Sequence, residues 1–178
     1  MLTSPVMKTP LDDVRVTLLL ARLSHEAWRL FDGPHAERSA ILEVRNRYRD
    51  FLVTVEEALL TTFVVKLASL FGTHRDEITL HMLPGVDQDP EFNDVWDRGR
   101  RLHKYRSNAI AHRNRAVTSH DFARDTGFTY DDLKRLLDDT CALFDRVAVK
   151  HGARGVLDVS CEGDFIQMIH DLTASERI

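Results

Sequence analysis

Long apolar runs are missing from this chain. No uninterrupted stretch exceeds four apolar residues, whereas a membrane-crossing helix needs about 20. A helical membrane protein is therefore excluded. Lys8 is followed by Asp12, Asp13 and Arg15 before any charge-free apolar region forms, so no signal peptide is expected. Cysteine is scarce as well. Cys141 and Cys161 stand alone, without C-x-x-C spacing, and offer no disulfide framework. Cys141 falls among Leu137, Phe144 and Val147 at helical spacing and reads as a small buried hydrophobe. No two histidines stand four residues apart, which argues against a metal site borne on one helix. His25-Glu26-x-x-Arg29 begins like a zinc-protease motif but lacks its second histidine. There is no P-loop and no dinucleotide fingerprint. The expectation is a cytoplasmic protein with no metal, no cofactor and no membrane attachment.

What is present is helical periodicity. At 178 residues, 43% of them hydrophobic and 29% charged, the chain has the size and composition of one folded domain. Residues 1–11, with two prolines, read as a flexible leader, and residues 12–178 as a single helical domain. Asp12 or Asp13 would cap a first helix running to about Phe31, where Gly33-Pro34 ends it. A second helical stretch runs from about His35 to Phe71, long enough to bend, and Gly72 is a natural stop. Its arginine-rich first half reads as solvated and paired with Glu37, Glu43 and Asp50. Ile78–Leu83 reads as a short helical piece, and Pro84-Gly85 breaks the chain. Asp89-Pro90-Glu91 has the order cap, proline, acid that opens a helix bearing Phe92, Val95, Trp96 and Leu102, with Gly99 weakening its middle. Thr129-x-x-Asp132 is a capping box before Leu133, Leu136, Leu137, Phe144 and Val147. A last amphipathic segment covers Phe165–Leu172. The fold class is all-α, a bundle of five to six helices with two long antiparallel ones.

Charge is distributed unevenly. The net charge is −4, yet from Arg98 to Arg115 there are seven Lys/Arg and no acid. A basic island on an acidic chain is either a local anion site or a solvated face. Within it lies Tyr105-Arg106-Ser107-Asn108-Ala109-Ile110-Ala111-His112-Arg113. The Arg-to-His spacing alone says little, because it recurs at six other places in the chain, Arg98–His103 among them. The acid-free context, with Asn108 and Ala111 in place, singles out Arg106 and His112.

This segment resembles the functional motif of the HEPN superfamily, an Arg and a His separated by four to six residues. Ala21–Trp28 and the block Tyr48–Leu80 look like the abortive-infection AbiU-type HEPN-like family, so the resemblance extends over about residues 12–170. One departure stands out: the family commonly carries Asn directly after the Arg, where this chain has Ser107 and places Asn108 one residue further on. The resemblance implies a HEPN-like up-and-down core and a two-fold dimer whose two motifs line one cleft. It also implies either a metal-independent endoribonuclease of a toxin or phage-defence type or a non-catalytic module that binds RNA, nucleotide or protein. RNA, a second copy of the chain and an antitoxin protein are the partners implied.

The residues suit that chemistry. A histidine titrating near neutrality can act as acid or base on the ribose hydroxyl and the leaving oxygen, the role expected of His112. A guanidinium stays charged and grips phosphate bidentately, the role expected of Arg106. Asn108 and His112, four apart, share a helix face that Arg101, Tyr105 and Arg115 extend. Arg106 would lie roughly 120° away on the same helix, which is why a second copy would make a more compact site. Asn108 would orient His112 or the substrate. Tyr105 would stack a base or pack, and Ser107, Arg101, Lys104, Arg113 and Arg115 would support substrate binding.

Overall fold

The computed structural model describes residues 9–74, 77–106, 127–156 and 159–174. Among them are six α-helices: α1 (Pro10–Asp32), α2 (Arg38–Arg47), α3 (Arg49–Ser69), α4 (Phe92–Tyr105), α5 (Tyr130–Lys150) and α6 (Glu162–Ala174). Two 3-10 turns, Leu80–Met82 and Val86–Gln88, fill the path from α3 to α4. The described residues contain no strand, so the architecture is an all-α helical bundle.

α1 starts earlier than its acids suggest. Thr9 is the cap: its hydroxyl accepts from the Asp12 amide at 3.2 Å, and the Asp12 carboxylate accepts from the Thr9 amide at 3.1 Å. Asp12 is thus the returning acid of a capping box and not the cap itself, and Pro10 occupies the first turn, where its missing N–H costs nothing. The box at Thr129 and Asp132 holds as the sequence indicates, with the corresponding contacts at 3.1 and 2.9 Å. At α4 the helix begins two residues later than the proline implies. Asp89 accepts from the Glu91 amide at 3.0 Å, but its carboxylate is held by Arg146 of α5 at 2.8 and 2.9 Å.

The second helical stretch is two helices. It breaks at Tyr48 (φ −110, ψ 37), although hydrogen bonds continue on either side of that residue. No proline or glycine marks the break. It serves two separate cores. α2 turns Ile41 and Val44 toward α6, where Phe31, Leu52 and Ile169 close a small cluster. α3 turns Phe63, Val64 and Leu67 into the main core with Val14, Leu18 and Ala21 of α1. His25 of α1 rests on Phe63 with ring centroids 4.8 Å apart, and Trp28, one turn on, shares a recess with Leu60, one turn back. α1 and α3 therefore run antiparallel. Of the arginine cluster, Arg47 pairs with Glu43 as expected, while Arg45 reaches across to Glu56 of α3 at 2.8 Å.

α4 packs against α3 and α5. Gly99 is what allows the close approach: a β-carbon there would lie 2.1 Å from the Phe71 ring, which is fully buried. The glycine that weakens the helix on propensity is the seat of the α3–α4 contact. Cys141 is buried on α5 and its thiol is pushed up to about 12 by burial, so it stays protonated.

Candidate nucleic-acid site

The last two turns of α4 carry the described half of the basic island. Leu102 and Tyr105 point into the core, 0% and 8% exposed. That fixes the other side chains. Arg100, His103 and Arg106, spaced three apart, face the C-terminal end of α3. Arg101 and Lys104 face solvent.

A helix C-terminus presents unpaired carbonyls and partial negative charge, which cations satisfy. His103 Nδ1 lies 3.1 Å from the Ala68 carbonyl. A carbonyl only accepts, so in this contact Nδ1 carries the proton. Arg100 donates to the Phe71 carbonyl at 3.4 Å. Arg106 caps α4 and pairs with Glu77 at 3.5 Å, both side chains about a third exposed. The second oxygen of Glu77 is buried and has no hydrogen-bond partner among the described residues. Gly72 makes this convergence possible: a β-carbon there would lie 1.9 Å from that oxygen and 3.4 Å from the His103 ring. Glu77 and His103 thus both lie against Gly72, with Arg106 bound to Glu77.

On the neighbouring face, the Arg101 guanidinium sits 5.6 Å from the Phe128 ring centroid. Together with Arg98, Arg135 and Asp132 it lines a recess of about 170 Å³. Arg98 is already committed, bridging Asp94 and Asp139 at 2.7 and 2.8 Å. Asp132 is engaged in its capping box, which holds its carboxyl below the usual range. Arg101 and Arg135 therefore supply the available positive charge of the recess.

The structure places four of the sequence-selected residues. Arg106 is at the end of α4, Arg101 and Lys104 are exposed, and the Tyr105 ring packs in the core, the second of its two expected roles. Ser107, Asn108, His112, Arg113 and Arg115 lie outside the described residues. Glu77, Gly72 and His103 were not singled out as site residues. His103 was legible as part of the triplet Arg100, His103, Arg106, but nothing local to Glu77 marks it. No cluster of three metal-ligating side chains occurs among the described residues, and no helix among them is long and apolar enough to cross a membrane.

Residues 87–159 match the HEPN_AbiU2 family model, described as AbiU2. This stretch is similar to the AbiU-type HEPN family. It spans α4, α5 and the whole stretch between them, so Arg106 and His112 both fall inside it. It is shorter than the resemblance over residues 12–170. Ala21–Trp28 and Tyr48–Leu80, and with them Glu77 and Gly72, lie outside the match. No curated protein and no solved structure matches the chain. Within the matched segment, α5 presents polar side chains on two faces. Arg135 and Asp139 turn to α4, while Lys134, Leu137 and Asp138 turn to α1.

Proposed function

We propose that the protein is a metal-independent endoribonuclease of the toxin or abortive-infection type, acting as a homodimer. The observation that carries this reading is that the segment matching the AbiU-type HEPN family contains the complete Arg106–His112 sequence motif, of which Arg106 closes the basic helix α4. In this account His112 takes the 2′-hydroxyl proton or returns one to the leaving oxygen. Arg106 neutralises charge on the phosphorane-like transition state. Asn108 orients His112, and Arg101, Lys104, Arg113 and Arg115 track the RNA backbone.

Glu77 gives the Arg106 clamp a resting partner. A surface ion pair of this kind is worth about 0–1 kcal/mol, so an incoming phosphate can displace the carboxylate. The same ion pair favours the second reading, a non-catalytic module. With Ser107 in place of the usual asparagine and Arg106 already neutralised by Glu77, the face would bind RNA, nucleotide or a protein partner without cutting. An RNA mixture incubated with the protein in EDTA, beside Arg106→Ala and His112→Ala, separates the two. The nuclease reading expects cleavage by the wild type alone. Inert or equally active proteins in all three tubes would overturn it.

A further inference from the structure

A second site lies on the face of α5 turned toward α1, away from Arg101 and Arg106. A cavity of about 250 Å³ opens between α1, α5 and the chain at Val159–Ser160. That is the scale of one small molecule, somewhat below the roughly 300–1,000 Å³ of most ligand sites. His25 forms part of its wall. The side chain is 7% exposed, and its Nε2 is buried with no hydrogen-bond partner among the described residues. A buried polar atom left unmatched points to a missing partner.

The charges around it define that partner. The acids are engaged: Glu26 accepts from the Ser160 hydroxyl and from the Cys161 amide at 3.0 Å, and Asp138 pairs with Lys134. Arg29, at the rim, makes no side-chain hydrogen bond or ion pair among the described residues, and Lys134 uses only part of its donor capacity. Both cations act on His25, whose burial and positive neighbours keep it neutral. Leu137 and Val159 supply an apolar wall.

We propose that this cavity binds a small organic anion, its charged oxygens at Arg29 and Lys134, its apolar body along Leu137 and Val159, and a polar atom meeting His25 Nε2. The anionic oxygen belongs to a carboxylate or a phosphate monoester.

The full-length chain, labelled with ¹⁵N-histidine, tests this by titration with inorganic phosphate, adenosine monophosphate and hexanoate to millimolar concentration. The reading is the His25 Nε2 resonance together with the melting temperature. At least one organic anion is expected to move the resonance saturably and raise the melting temperature, more strongly than inorganic phosphate. Nucleotide over hexanoate assigns a phosphate monoester, and the reverse a carboxylate. Arg29→Ala, an exposed change that leaves the core alone, weakens binding about tenfold or more. Arg49→Ala on α3 and Arg106→Ala leave it unchanged. The proposal is overturned if no probe binds saturably, if binding survives Arg29→Ala, or if Arg106→Ala weakens it as much. The last result would assign the anion to the RNA face.

Discussion

Replacing Gly99 by alanine puts a methyl group where the Phe71 ring already is. The new carbon would lie 2.1, 2.2 and 2.3 Å from three ring atoms, against a carbon–carbon contact of about 3.5–4.0 Å. Phe71 is 0% exposed and its ring lies 5.9 Å from that of Trp96, so it has nowhere to go without moving α4 off α3. Overpacking of a tight core costs about 1–3 kcal/mol, occasionally more. Alanine recovers about 1 kcal/mol of helix propensity, leaving a net loss of up to about 2 kcal/mol. For a chain of this size a loss of about 2 kcal/mol lowers the melting temperature by about 4–8 °C. Gly163, at the start of α6, is the control: a β-carbon there meets nothing, so Gly163→Ala is expected to be neutral or stabilising by a few tenths of a kcal/mol. Thermal and urea unfolding of the two variants check this. A Gly99→Ala protein as stable as Gly163→Ala would refute the close-packing argument and with it the account of how α4 is seated.

Other expectations follow from the same contacts. Arg146→Ala strands the Asp89 carboxylate, 2% exposed, and should cost about 2–3 kcal/mol, less than for a fully buried pair because the guanidinium is 38% exposed. The hydrogen bonds from Arg146 hold the Asp89 carboxyl below its usual range. That stabilisation is complete above the unfolded carboxyl range and lost as pH falls through the folded value. Urea titrations from about pH 6 to pH 2 should show a shallower acid loss in the variant. His25 is lowered to about 4, chiefly by burial and then by Arg29 and Lys134, with Asp138 and Glu26 opposing. Its depressed value makes stability complete above about pH 6.5 and reduced by about 3 kcal/mol as pH falls to about 4. Histidine NMR should find its ring neutral at pH 5.5, and a ring already protonated there would contradict this burial. Glu77→Gln frees Arg106 and should tighten RNA binding up to about fivefold, since surface pairs contribute at most about 1 kcal/mol. Gly72→Ala, which displaces the same carboxylate, should act in the same direction, and weaker RNA binding in both would show that Glu77 positions Arg106 instead.

Much of the fold was legible because it is written in short-range chemistry. The Thr129–Asp132 box, the Gly33-Pro34 stop and the 3.6-residue spacing of Leu133, Leu136, Leu137, Phe144 and Val147 need only their neighbours in sequence. The break at Tyr48 was not legible, since nothing local causes it; α2 and the first turns of α3 close the small cluster with α6, while the later turns of α3 enter the main core. Asp89 was misread as a cap for a similar reason: its partner Arg146 is on another helix. Gly99 and Gly72 show the same limit, each explained by a side chain distant in sequence. Of the candidate site, the basic stretch and Arg106 stand out in the charge pattern and motif. Glu77 does not, because only the chain's return after α3 brings it to Arg106.

The most direct test measures RNA affinity and RNA cleavage side by side on the wild type and His112→Ala in EDTA. The account predicts that cleavage falls at least about 100-fold, the usual contribution of a general acid or base, while affinity stays within a few-fold. Cleavage that persists, or a loss of binding as large as the loss of cutting, would contradict it.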